Sequence, residues 1–126
     1  MGLLQNVMGN VTELPVEKAQ KEFAPVLAKG ESVVKAFNLF RDRIVMTNSR
    51  LITVDKQGVT GTRQTMLSIP YSSIIKFAKE SAGLFDLDAE LRIWVKDEAE
   101  PLKWQFSRGV DINEVYRVLG EHVIAK

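Results

Sequence analysis

The densest chemical signal in the chain is a group of cations, Arg41, Arg43, Arg50, Lys56 and Arg63. In Arg41-Asp42-Arg43 the two arginines are two residues apart, and on an extended strand alternate residues share a side. Two guanidinium groups projecting together suit bidentate capture of phosphate. The chemistry implied is recognition of an anionic lipid headgroup or a phosphorylated partner. Asp42 stands between the arginines, however, and an internally salt-bridged surface is the plainer account.

Other reactive types are sparse. Asp86, Asp88 and Glu90 alternate along an extended segment and could present three carboxylates to a hard cation. They lack the glycine and distal glutamate of an EF-hand loop, so a solvated strand face is favoured and no metal is expected. The one histidine, His122, falls late in the last helical segment, at the edge of its apolar face. Packing, or pairing with the helix dipole, suits it better than a nucleophilic dyad. Gly58 and Gly61, with Lys56 and Arg63, lack the Gly-x-x-x-x-Gly-Lys-Ser/Thr word of a phosphate loop and fit a hairpin connection. With no cysteine there is no disulfide, thiolate metal site or thiol nucleophile. No paired general acid and base can be assembled, so neither an enzyme nor a cofactor is expected.

The elements that position these residues follow from hydrophobic period. Val16, Ala19, Phe23, Val26 and Leu27 repeat at helical spacing after Pro15, predicting a helix from about Pro15 to Ala28 with a break near Ala24, because Pro25 removes a hydrogen bond. From Glu31 to Arg108 the period becomes two. The predicted strands are Ser32 to Phe40, Asp42 to Thr47, Arg50 to Asp55, Gln64 to Pro70, Ser73 to Glu80, Asp88 to Lys96 and Leu102 to Ser107. Asp111 with Glu114 forms a capping pattern before Ile112, Val115, Tyr116, Leu119 and Val123, which share one face of a helix running to about Ala125. Upstream, Leu3, Leu4, Val7 and Met8 also fall at helical spacing, enough for a short amphipathic anchor, although packing back on the chain or fraying is the favoured account.

One hairpin carries its own register argument. A four-residue loop Asp97 to Glu100 sets Val95 opposite Leu102, Ile93 opposite Trp104 and Leu91 opposite Phe106, with Trp94 opposite Lys103 and Arg92 opposite Gln105 on the polar side. That register leaves Trp104, Phe106, Leu91 and Ile93 in the core, with a cation–π pair outside.

Totals bound the class. With 126 residues, 45% of them apolar, one core is the expectation, organised as a helical extension over residues 1–30 and a mainly β domain over 31–126. Seventeen basic against sixteen acidic residues leave a net charge of +1, so no bulk attraction to nucleic acid is expected. No apolar run reaches spanning length, so no transmembrane segment is expected, and a cytoplasmic location is.

Seven short antiparallel strands followed by a helix match the element order of the pleckstrin-homology (PH) superfold, a curled sheet or barrel capped by its C-terminal helix. The stretch from Phe40 to Gly58, containing Thr47-Asn48-Ser49-Arg50-Leu51, resembles the second hairpin of the short bacterial PH domain proteins. Leu67-Ser68-Ile69-Pro70-Tyr71 and Ala82 to Leu91 resemble them too. The resemblance implies a PH-like fold, no catalytic residues and a habit of forming ring-like homo-oligomers. It also directs attention to the hairpin closed by Asn48-Ser49, which pairs Met46 with Leu51 and Val45 with Ile52, so that apolar groups lie on both faces. The outer face, with Val45, Ile52 and Val54, needs cover. Another copy could supply it, making these residues and Phe23 candidate interface positions, or the N-terminal helix could cover it within the chain.

Overall fold

The computed structural model describes residues 8–58, 61–81 and 88–124. These residues form eight strands: β1 (Met8–Leu14), β2 (Val33–Leu39), β3 (Asp42–Thr47), β4 (Arg50–Gln57), β5 (Arg63–Pro70), β6 (Ile74–Ser81), β7 (Asp88–Val95) and β8 (Leu102–Ser107). Helix α1 (Val16–Phe23) lies between β1 and β2, and α2 (Ile112–Leu119) follows β8. Two compact units result, residues 13–70 and residues 1–12 with 71–126.

In the first unit β2 to β5 form an antiparallel meander. The two-residue loop Asn48-Ser49 sets Met46 against Leu51, Val45 against Ile52 and Ile44 against Thr53, the register expected from the sequence. One face of this sheet buries Phe37, Ile44, Met46 and Leu51. On the other, Val45, Ile52 and Val54 pack with Val33, Ala36, Leu14, Ala19 and Phe23. The apolar outer face of the hairpin is thus covered within the chain by α1. Ala19 and Phe23, four residues apart, give the short helix one buried stripe. The helix ends at Phe23 and tightens into a 3-10 turn, Ala24–Val26, because Pro25 cannot continue α-helical bonding. Pro15 precedes the helix, its carbonyl accepting from Lys18 N and Ala19 N at 3.1 Å, one position earlier than its expected place in the first turn.

The second unit contains β6, β7 and β8 in antiparallel order, with β1 parallel to β8 through Met8 and Trp104 and through Val11 and Phe106. β1 corrects the helical reading at Met8; Leu3, Leu4 and Val7 lie outside the described residues. The apolar spacing was too short to separate helix from strand, and pairing with β8 decides it. Trp104, Phe106, Leu91 and Ile93 are buried as expected, and Arg92 and Lys103 remain half-exposed. The pairing itself is shifted by two residues: Leu91 faces Trp104 and Ile93 faces Leu102. The connection is longer than expected, with a turn at Val95–Glu98 (Glu98 N to Val95 O, 3.1 Å) and Asp97 at φ 70°. A two-residue shift keeps every side chain on its face, so burial survives the change of partners. Trp94 takes its cation from the other neighbouring strand, with Lys76 Nζ 4.8 Å from the ring centroid. Arg92, now opposite Lys103, bonds Glu80 at 3.1 Å and Glu90 at 3.3 Å.

Asp111 caps α2, its Oδ1 accepting from Asn113 N and Glu114 N at 3.1 and 3.3 Å. Beyond Leu119 the helix widens to π-type bonding over Gly120–Ile124. There His122 Nδ1 donates to Val118 O at 2.9 Å and the ring stacks on Tyr71 with centroids 4.8 Å apart. The half-buried imidazole locks the end of the helix locally. His122→Ala is expected to lower stability by about 1 kcal/mol or less, read as a small shift in urea midpoint; a loss several times larger would contradict a local packing role.

Candidate functional site

The cations of the sequence signal have separate fates. Arg50 opens β4 immediately after the Asn48-Ser49 turn and reaches back over it. Its Nε donates to Glu31 Oε2 at 2.8 Å and Nη2 to Glu31 Oε1 at 3.0 Å, a bidentate pair. Nη1 donates to Ser68 Oγ at 2.8 Å and Nη2 also to Val26 O at 2.9 Å. The guanidinium is committed to joining β5, the 3-10 turn after α1 and the start of β2.

Glu31 is the centre of this clasp. Its side chain is only 2% exposed, and it accepts from Thr47 Oγ1 at 2.6 Å and from Ala28 N at 2.8 Å in addition to Arg50. The Arg50 hydrogen bonds outweigh the opposing effect of burial, and with help from Thr47 and Ala28 they hold the Glu31 carboxyl at about 2, against an ordinary value of 4.5. The same bonds raise Arg50 above its ordinary value. Thr47 Oγ1 also accepts from Ser49 N and Arg50 N at 3.0 and 2.9 Å. Asn48 completes the tie: Oδ1 accepts from Ser32 N at 3.0 Å and Nδ2 donates to Gly30 O at 3.2 Å. Thr47, Asn48 and Arg50 therefore fasten the loop after α1 to the hairpin, and with it the helix that covers Val45 and Ile52. Sequence reasoning overlooked Glu31, whose only signal was an acid at the start of the β region.

Arg43 bonds Glu22 of α1 at 3.3 Å through Nε and Asp42 O at 3.2 Å through Nη1. Arg41 lies in the turn before β3, and its Nη2 donates to Gly58 O at 2.7 Å. The Arg-x-Arg spacing thus sends the two guanidinium groups to different partners rather than to one clamp. Lys56 and Arg63 flank the β4–β5 turn, where Gly58 and Gly61 take φ of 84° and 71°. The Lys56 backbone N donates to Asp42 Oδ1 at 2.9 Å, so the β2–β3 and β4–β5 tips are tied twice, through Asp42 and through Arg41. Arg41, Lys56 and Arg63 mark this paired tip.

The tip carries a residue that sequence reasoning passed over. Leu39 pairs with Asp42, leaving Phe40 and Arg41 as a two-residue turn. Phe40 has φ 54° and is 92% exposed. A bulky side chain in left-handed backbone costs about 1–2 kcal/mol, and this one recovers none of it by burial. The Arg41 guanidinium carbon lies 5.9 Å from the Phe40 ring centroid.

Of the three carboxylates considered for a cation, Asp86 and the Asp88 side chain lie outside the described residues, and Glu90 pairs with Arg92. Among the described residues no group of three or more metal-ligating side chains gathers, and no helix is long and apolar enough to cross a membrane.

Comparison with known proteins gives a consistent family picture. A family model described as bacterial PH domain matches residues 2–123. The uncharacterized protein YjqA of Bacillus subtilis (strain 168) is 45% identical over 120 residues, 94% of this chain and 96% of that protein. Among solved structures, a protein with a pleckstrin-homology domain from Shewanella loihica PV-4 superposes with a TM-score of 0.84 at 35% identity, covering 92% of this chain and 99% of the other. A pleckstrin-homology domain from Shewanella amazonensis SB2B gives a TM-score of 0.71 at 39% identity over 93% and 94% of the two chains.

Proposed function

This chain belongs to the bacterial PH domain family, and from that membership we propose that it is a non-catalytic binding and assembly module working in the cytoplasm as a ring-like homo-oligomer. The observation that carries the assembly is strand β5. Among the described strands of its unit it pairs only with β4, and it closes the sheet order. Six successive residues, Arg63 to Ser68, are exposed, including Leu67 at 48% and Met66 at 39%. An exposed edge of this length with apolar side chains on both faces invites strand pairing with another copy. Closed symmetry follows because an open head-to-tail contact would polymerise.

Phe23, Val45, Ile52 and Val54 are buried at 3%, 0%, 0% and 5%. With α1 in place, a contact between copies through this unit would use the outer surface of α1 and the 3-10 turn after it, where Val16 and Val26 are 37% and 43% exposed, or the β5 edge. We favour the edge. Light scattering at micromolar concentration is expected to find an oligomer, and Leu67→Lys is expected to shift it toward monomer with an unchanged circular dichroism spectrum, because the side chain is half-exposed. A wild-type monomer would refute the proposal. A Leu67→Lys protein that stays fully assembled would move the contact away from β5.

A further inference from the structure

We infer that the unpaired edge of β6, beside Phe77 and Tyr116, takes up an acidic segment of another protein as an added strand. The inference goes beyond assembly and uses residues of the second unit alone, so it and the β5 contact can fail separately.

β6 stands at one end of the strand order and, among the described strands, pairs with β7 alone. From Lys76 to Ser81 that pairing is continuous, so the opposite side of the strand presents a row of backbone N–H and C=O groups. Among the described residues no turn or loop hydrogen bond reaches the backbone of residues 74–81. Lipid offers such groups no partners. An extended peptide satisfies them directly, and its alternate side chains are then read by whatever flanks the edge.

The flanking side chains supply an apolar anchor. Ile75 falls at the register shift between Ile74 and Lys76 and is 62% exposed. Phe77 is half-buried, and α2 sets Tyr116, 36% exposed, edge-to-face against it with ring centroids 5.1 Å apart. Aromatic side chains held partly open in this way are the groups that carry most binding energy at interfaces.

Charge selects the occupant. Lys76 and Lys79 are exposed, and each ammonium group lies near an aromatic ring, Lys76 4.8 Å from the Trp94 centroid and Lys79 5.6 Å from that of Tyr116. Among the described residues neither lysine has a carboxylate partner, and the neighbouring Glu80 is engaged by Arg92 at 3.1 Å. Two unmatched cations on an edge strand favour carboxylates on the strand that joins it. A second copy of this chain serves less well. Its β5 edge, Arg63 to Ser68, carries no carboxylate, and two β6 strands paired about Phe77-Ala78 would set lysine beside lysine.

Fluorescence anisotropy with labelled seven-residue peptides tests the inference. The probes are Glu-Phe-Glu-Val-Glu-Phe-Glu, its counterpart Lys-Phe-Lys-Val-Lys-Phe-Lys, and Glu-Phe-Glu-Pro-Glu-Phe-Glu, whose proline removes a strand donor. The full chain is expected to bind the first with a Kd of about 10–100 µM and the other two at least about tenfold more weakly. Tyr116→Ala and Ile75→Glu are each expected to weaken the first peptide about tenfold with an unchanged circular dichroism spectrum. Lys76→Glu with Lys79→Glu is expected to reverse the preference toward the lysine peptide. Wild-type protein that binds none of the peptides, or all three equally, would overturn the inference. So would Tyr116→Ala and Ile75→Glu both binding as wild type. Light scattering separates the two surfaces: an oligomer that Ile75→Glu reduces to monomer would put a second copy on β6 and overturn the inference. A monomeric wild-type chain that binds the acidic peptide would refute assembly through β5 and leave this inference standing.

Discussion

Val45→Glu is expected to unfold the chain rather than to release folded protomers. Val45 is fully buried between the β3–β4 hairpin and α1, in contact with the cluster that contains Phe23 and Ile52. A carboxylate there would lose its hydration inside an apolar cluster, and it would also displace the packed helix. The expected loss is about 4 kcal/mol or more, a large share of the roughly 5–15 kcal/mol that holds a domain together. Circular dichroism during urea titration should show the transition moved to much lower denaturant or absent. The same substitution at an interface between copies would instead leave the spectrum intact and halve or further reduce the mass in solution. A folded, cooperative Val45→Glu protein with a near-native midpoint would show that α1 does not cover this face in solution.

Breaking the Glu31–Arg50 clasp is the second large effect. Glu31 titrates at about 2 in the folded chain against 4.5 as its ordinary value, so the clasp contributes its full stabilisation above pH 4.5 and loses it as pH falls toward about 2. The difference corresponds to about 3 kcal/mol. Glu31→Gln keeps the shape but removes the charge, and it is expected to lower stability at neutral pH by about that amount and to flatten the acid limb of the stability curve. Arg50→Ala is expected to cost as much or more, about 3–5 kcal/mol, because it leaves a buried carboxylate without its cation. Urea midpoints measured from neutral pH down to pH 2.5 check both. An acid limb in Glu31→Gln as steep as in wild type would assign the acid sensitivity to another group.

The clasp also explains why a Thr-Asn-Ser-Arg-Leu word reads so clearly in the sequence without revealing its purpose. The turn residues Asn48 and Ser49 and the flanking apolar pairs specify the β3–β4 register locally, and that register was legible. The partner of Arg50 was not, because Glu31 is nineteen positions upstream and no periodicity connects the two. Read by type and spacing alone, Arg50 joined Arg41, Arg43, Lys56 and Arg63 as a ligand-binding candidate. Its surroundings make it part of the scaffold, and the residues left at the tip are fewer.

The β7–β8 hairpin shows the same division. Alternation placed Leu91, Ile93, Trp104 and Phe106 in the core, and they are there, because the face of a strand residue depends only on parity. Their cross-strand partners depend on the length of the turn, which composition alone leaves open, and the turn proved two residues longer in effect. In the same way Pro25 announced the end of α1, whereas the face that α1 covers depends on contacts between Phe23 and residues more than twenty positions away. β1 lies furthest from sequence reach: Met8–Leu14 has little signal of its own and becomes a strand by pairing in parallel with β8. Period, turn chemistry and capping are encoded within a few residues, so the sequence by itself determined the order of elements from α1 to α2 and the faces of most strands. The choice of partner for Arg50, for the outer face of the hairpin and for β1 is a matter of long-range packing, and only the tertiary structure decided it.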